Sequence, residues 1–385
     1  MDRFGFTGEH SCVETKASEI SVPRALTPAE KRNAKFSAWH ENKRTLKWLA
    51  MSDNWTVWST KRRKVVKRRV RKGVPDAIRG KMWEIFCGAD VLRHNAQTDR
   101  RLTYAATADR ANTKCSQIKA LMEKARAAPE QKEVEEKSKS IGKTTRNGVK
   151  DHLVLLSDEQ KRSRKWDAVI EADLGRTFPD HCMFHRGATG QQVLRDVLRA
   201  YAESHPDLGY TQGMNFIVAM FLSYMPARDA YWVLTAVMDS PKWNLQSMFC
   251  DRTPAVARIW YQFDKLLAKY VPKVSAHFKK EDIHHSMYLT KWIIPLYTRD
   301  FHFDFVVRVW DIFLQQGWKI ILRVALALLK QRQTQILSLD MENLMGFFRT
   351  IPQNCDAEAT LKLAHRIKFK TKELHDLEQE FLSSQ

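Results

Sequence analysis

Three short stretches of this sequence set polar side chains at helix ends, where they could do chemistry. In Ile170-x-x-Asp173-x-x-Arg176-Thr177-Phe178-Pro179, a carboxylate stands one helical turn before a guanidinium. Positions three apart share a helix face, so Asp173 can reach Arg176 and orient it. Pro179 biases Phe178 away from helical backbone, which ends the helix at Arg176 and lets its side chain project from a rigid element. Alone, such a pair is surface electrostatics, worth roughly a few tenths of a kcal/mol. In Tyr210-Thr211-Gln212-Gly213-Met214-Asn215, the Gln212 amide follows the turn His205-Pro206-Asp207-Leu208-Gly209 and stands at the entrance of an apolar helix. It is either presented outward or spent on capping the turn. In Gly73-Val74-Pro75 with Arg79 and Trp83, Pro75 suits the first turn of a helix. Arg79 and Trp83 are four apart and share a face, while Ile78, Met82, Ile85 and Phe86 make an apolar stripe. An ordinary amphipathic helix with a partly covered arginine fits that spacing too. His181-Cys182-x-x-His185 offers metal-type ligands, but structural zinc takes four and no second pair stands at a fixed spacing, so no metal is expected.

The elements that must position these groups read as helices. Met214, Ile217, Val218, Phe221, Leu222 and Met225 follow a 3.6-residue period. So do Val193, Leu194, Val197, Leu198 and Tyr201, and again Val256, Ile259, Trp260, Phe263, Leu267 and Tyr270. Alternating strands joined by hairpin turns are missing, which makes the fold class all-α. Residues 1–30 are polar and aperiodic and read as a disordered arm. Residues 31–67 form a basic, Trp-containing helical lead-in. Residues 95–160, rich in Ala, Lys, Glu, Gln, Ser and Thr and broken by Gly142 and Gly148, read as a flexible low-complexity insertion with a frayed helix around Ser116–Lys137. Residues 371–385 are expected to be a helix end and tail.

The chain has 385 residues and a formal net charge of +20. Its 44% hydrophobic content and 12 Trp exclude a wholly disordered, collagen-like or coiled-coil chain. The excess charge raises nucleic acid or an anionic membrane as partner, but it is unevenly spread. Residues 43–72 carry twelve Lys/Arg against Asp53, nine of them within Lys61–Lys72, while residues 170–330 carry nineteen against fifteen acids. The surplus therefore flanks the apolar-periodic body. The Lys61–Lys72 tract is a solvated helix face, a peripheral contact with an anionic membrane or an acidic protein, or a nucleic-acid site. Nucleic acid is disfavoured, because the aromatics fall on core stripes instead of beside the basic run. Six scattered Cys without a CxxC pair, no apolar leader, and no apolar run near the ~20 residues of a membrane span point to a soluble, cytoplasmic protein.

Together the three motifs, in this order, resemble the TBC domain, the helical module of Rab GTPase-activating proteins. Tyr261-Gln262-Phe263-Asp264, Trp292 and Trp310-Asp311-x-Phe313-x-x-x-Gly317 are similar to its later helices. The resemblance runs from about Arg68 to Leu363 and places the domain at 68–370, with the insertion 95–160 longer than the family needs. It implies an activator without substrate turnover of its own, acting on a Rab in the GTP state at endomembranes. GTP and Mg2+ would sit on the Rab, and the activator would hold no cofactor. By the resemblance, Arg176 is an arginine finger, whose class of group is worth roughly 10³–10⁵ in rate, about 4–7 kcal/mol of barrier. Gln212 would orient the attacking water. Asp173 would position Arg176 and Tyr210 would brace the Gln212 loop, with Ile170, Gly213, Asn215, Arg79 and Trp83 completing the motifs. A TBC-type scaffold that binds GTPases without stimulating them is the rival reading; it would lack a finger, and both are present.

Overall fold

The computed structural model describes residues 4–6, 28–127, 156–250 and 254–384, and among them the chain is helical apart from one isolated bridge between Phe6 and His181. The lead-in folds as α1 (Pro28–Ser52), α2 (Trp55–Thr60) and α3 (Arg63–Arg71). On α3, Val66 and Val70, four apart, are buried, and the basic residues fill the remaining face. That apolar line seats α3 against the later helix Phe303–Gln316. Pro75 precedes a 3₁₀ turn over Asp76–Ile78 instead of the α-helix itself, which begins one turn later as α4 (Arg79–Cys87). Gly88, at φ 71°, takes the left-handed conformation that ends α4 and starts α5 (Ala89–Ala96).

The expected low-complexity insertion departs from expectation over its first half. Tyr104–Ala127 is one long helix, α6, packed on α7 (Asp158–Leu174) and α8 (Thr189–Ser204). Its buried line is Ala111, Cys115, Ile118 and Met122, at helical spacing but built partly of small side chains. Ion pairs and hydrogen bonds cross to its neighbours. Lys114 Nζ reaches Glu203 at 2.8 Å, and Asn112 donates to Asp196 at 3.0 Å. The helix expected around Ser116–Lys137 thus begins earlier, and residues 128–155 lie outside the described ones.

The centre is α9 (Met214–Leu222), buried on every side, with α10 (Ala227–Asp239) beside it. A helix apolar all round can only be core. The chain continues through α11 (Pro254–Tyr270), α12 (Pro272–Lys280), α13 (Leu289–Ile293), α14 (Phe303–Gln316), α15 (Lys319–Gln331), α16 (Gln333–Ile336), α17 (Met341–Thr350), α18 (Ala357–Arg366) and α19 (Thr371–Ser383). In place of a tail, α19 is a full helix held on α11. Leu374 is buried, Gln262 donates to its carbonyl at 2.7 Å, and Lys269 pairs with Glu373 at 2.7 Å. No helix among the described residues is long and apolar enough to cross a membrane.

Candidate functional site

Arg176 stands just past the C-terminus of α7, after Gly175 caps it. Its side chain is half exposed, while Asp173, one turn earlier, is fully buried and pairs with it. The second oxygen of the same carboxylate accepts a hydrogen bond from Tyr210 Oη at 2.5 Å. A buried carboxylate is costly unless it is paired, and here one oxygen is held by the Arg176 ion pair alone and the other by the Tyr210 hydrogen bond. Burial, followed by the Asp173 hydrogen bond, pushes the Tyr210 phenol well above its ordinary value, so it stays protonated as donor. Ile170 is fully buried and anchors this end of α7 in the core.

A second latch runs beside the first. Asn215, also fully buried, donates from Nδ2 to Thr177 Oγ1 at 2.7 Å and accepts from Gly213 N at 3.0 Å. Thr177 Oγ1 in turn donates to Asp173 O at 2.6 Å. Gly213, at φ 108°, provides the backbone that turns the chain into α9 and leaves Gln212 exposed at its entrance. Gln212 is therefore not spent as a side-chain cap on α9.

Phe178 differs from the extended conformation expected before Pro179: its φ is +43°. A bulky residue there carries strain of about 1–3 kcal/mol and persists only where its surroundings over-determine it. Its ring lies against those of Phe6, Phe216 and Phe303, with centroids 5.6, 5.7 and 5.9 Å away. Residues 4–6 thus depart from the expected structureless arm. Cys182 N donates to Gly5 O at 2.7 Å, and Phe6 packs edge-on against His181. The rest of the arm before residue 28 lies outside the described residues.

Arg176 and Gln212 line one open cavity of about 370 Å³, walled by Phe6, Phe178, Pro179 and Phe216. Asp180, Arg299 and Asp300 add charge at its edge, with Arg299 and Asp300 paired at 3.3 Å. Burial raises the Asp300 carboxyl above its ordinary value, against the pull of Arg299 and Lys291. Phe6, Arg299 and Asp300 reach the cavity from outside the three motifs, and neither spacing nor motif connects them to Arg176 and Gln212. Among the described residues no group of three or more His, Cys, Asp or Glu could hold a metal ion.

Arg79 and Trp83 are not at this cavity. Both are buried on α4 and converge on Asp311 of α14, which is fully buried. Asp311 accepts from Trp83 Nε1 at 2.8 Å, Arg79 Nε at 3.2 Å and Val74 N at 2.8 Å. Burial alone would lower the Arg79 pKa, and Asp311 more than reverses it, so the guanidinium stays charged. The opening motif is therefore a bolt between the start of the domain and α14. Its arginine is a buried, ion-paired group that does not line the cavity of Arg176 and Gln212.

The Rab-GTPase-TBC domain family model matches residues 76–337. TBC1 domain family member 10B of Mus musculus is 30% identical over 363 residues, covering 93% of this chain and 36% of that protein. The Caenorhabditis elegans Rab GTPase-activating protein eat-17 is 29% identical over 232 residues, covering 60% and 26% respectively. The crystal structure of the Chlamydomonas flagellar RabGAP TBC domain shares the fold, with a TM-score of 0.58 at 20% identity, covering 94% of this chain and 98% of that one. The chain spans about a third of the length of the first curated relatives it matches (34% and 36%). With the family match extending from the turn before α4 to the loop after α16, this chain belongs to the Rab-GTPase-TBC family.

Proposed function

We propose that the protein accelerates GTP hydrolysis by a Rab-family GTPase in its GTP state, with Arg176 and Gln212 completing the partner's active site in trans. The observation that carries this reading is their shared placement: two exposed polar side chains on one cavity wall, each on a loop latched to the other through Asp173 and Asn215. The partner would bring GTP and Mg2+ and the bond to be broken. Asp173 engages Arg176 through one terminal nitrogen, Nη2. The guanidinium keeps further N–H donors for the negative charge that grows on a transferring phosphoryl group. The Gln212 amide carries both a donor and an acceptor, which suits it to hold a water by its proton and lone pair. Phe178, Pro179 and Phe216 give the wall an apolar rim that a docked partner would close against solvent, strengthening both interactions.

Preorganisation is the chain's own contribution. The two loops reach the same cavity already hydrogen-bonded, so little ordering is left for the moment of docking. The reading places the protein at the cytoplasmic face of the endomembranes where Rabs act, as a peripheral activator. It is tested by hydrolysis of GTP preloaded on Rabs, with and without the protein and with Arg176→Lys, which keeps the charge but loses the planar fork. A protein that binds a GTP-loaded Rab without speeding hydrolysis would support the scaffold reading instead.

A further inference from the structure

Three residues near the start of the chain, Phe4-Gly5-Phe6, lie against the loop that follows Arg176. Phe6 pairs with His181 in an isolated antiparallel bridge, and Cys182 N donates to Gly5 O at 2.7 Å. Phe4 packs edge-on against Phe303, the first residue of α14, at 5.2 Å, and Phe6 meets the same ring at 5.3 Å. The segment thus grips the loop by its backbone and α14 by two rings. Gly5 permits the fit. Its φ is +93°, and a Cβ there would stand 2.7 Å from Cys182 Sγ and 3.1 Å from the His181 ring. Backbone angle and space together exclude a side chain at position 5 unless the segment or the loop moves.

The loop it grips pivots at Phe178. Arg176 follows the end of α7, Thr177 is latched to Asn215, and Pro179 constrains the chain beyond. Between them Phe178 holds φ +43°, although a residue before proline prefers extended backbone. Such a conformation persists only where its surroundings hold it. Phe184, Phe216 and Phe303 pack on the Phe178 ring from the body of the domain, at 6.2, 5.7 and 5.9 Å, and all three are buried. Phe6 is the fourth ring, at 5.6 Å, and it is half-buried. Without it, Phe178 would meet water, and less would oppose the extended alternative. A change at Phe178 would carry Pro179 and Asp180, which also line the cavity, and would pull on Thr177 beside Arg176.

We infer that Phe4-Gly5-Phe6 is a positioning clip for the Arg176 loop, setting the rate of the stimulated reaction through Phe178. The inference rests on the reading that Arg176 acts on a partner's GTP. Phe6 is a positioning residue in this account and takes no part in the chemistry. A ring that served only as a wall for the docked partner would need neither the Gly5 fit nor the backbone bond to Cys182. Those two features fasten the segment to the loop itself, whether or not a partner is present. Holding the loop before docking spares the reaction that ordering step, which is the kind of contribution that appears in the maximal rate.

The test compares the whole chain as wild type, Phe6→Ala, Phe6→Leu and Gly5→Ala. Single-turnover hydrolysis on a panel of GTP-loaded Rabs is followed over a range of activator concentrations. Hydrogen exchange of the Rab-free proteins is read over residues 176–184. Gly5→Ala displaces the clip from a position that does not line the cavity. Phe6→Ala and Gly5→Ala should each lower the maximal rate about tenfold, or ~1.4 kcal/mol of barrier, within what the ring contacts of Phe6 can supply. The concentration giving half-maximal stimulation should stay put. Phe6→Leu, which keeps apolar bulk over Phe178, should recover most of the rate. Without any Rab, the Cys182 amide should exchange faster in Phe6→Ala and Gly5→Ala, while exchange in α9 is unchanged. If Gly5→Ala does not fold, Phe4→Ala, which loosens the grip on Phe303 from outside the cavity, gives the same comparison. The inference is overturned if both variants keep the wild-type maximal rate, if only the half-maximal concentration rises, or if Cys182 exchange is the same in every protein. If wild type accelerates no Rab, the activator reading fails instead, and the exchange result alone decides whether the clip holds the loop.

Discussion

The Tyr210 hydroxyl donates to the buried Asp173 carboxylate at 2.5 Å, so the loop that carries Gln212 is fastened to the helix end that carries Arg176. Removing that hydroxyl leaves one carboxylate oxygen unpaired in the interior. Tyr210→Phe should cost about 1.5–3 kcal/mol of stability, the range for a hydrogen bond to a charged group. Denaturant melts check the stability. Stimulated GTP hydrolysis should fall in its maximal rate more than in apparent affinity for the Rab; an unchanged rate would show that the latch does not position the finger.

Asn215 fastens the same two loops through Thr177, by contacts independent of the tyrosine. Asn215→Ala strands the Gly213 N–H as well, with an expected loss of about 1–3 kcal/mol. Combined with Tyr210→Phe, the two losses should depart from additivity, because both act on one junction. A double-mutant cycle in urea measures the departure, and strict additivity would mean that the two latches are uncoupled.

The bolt at Asp311 lies away from the cavity lined by Arg176 and Gln212. Asp311→Ala leaves Arg79 charged and buried, and breaking such a pair from one side costs about 3–5 kcal/mol. Circular dichroism should show a much lower melting temperature. At a temperature where the variant is folded, its stimulation per folded molecule should match wild type. A selective loss of stimulation would instead connect α14 to the finger loops.

His365 provides a pH signature. Burial, then the charges of Arg71, Arg323 and Arg308, hold its ring at about 4, below its ordinary 6.5. As pH falls, the unfolded chain takes up this proton near 6.5 and the folded chain only near 4. The unfolded state therefore binds more protons between those values, and stability present above 6.5 is lost as pH drops toward 4. His365→Gln should flatten the fall of melting temperature across that window. An equal slope in both proteins would mean that the ring titrates alike folded and unfolded.

Sequence periodicity reached the helices whose buried faces are made of large apolar residues, such as α9 and α11. It missed the extent of α6, because Ala111 and Cys115 bury as well as leucines but resemble low-complexity composition. The finger loops were legible because their residues are contiguous and their partners lie within one turn. What fixes those loops was not. Tyr210 and Asp173 are 37 positions apart, and Arg79 and Asp311 are 232 apart. Phe6 comes from a polar stretch with no period at all. The left-handed Phe178 follows from four rings meeting in space, where local preference pointed to extended backbone.

Arg176 and Gln212 are proposed to act together on a partner's nucleotide. Single-turnover hydrolysis across a panel of GTP-loaded Rabs, with wild type, Arg176→Ala and Gln212→Ala at matched concentrations of folded protein, measures that action. At least one Rab should be accelerated by wild type by roughly 10³-fold or more, the scale of an arginine finger supplied in trans. Each substitution should remove most of that stimulation while the variant still binds the Rab. Full activity of Arg176→Ala, or no acceleration of any Rab by wild type, would contradict the account.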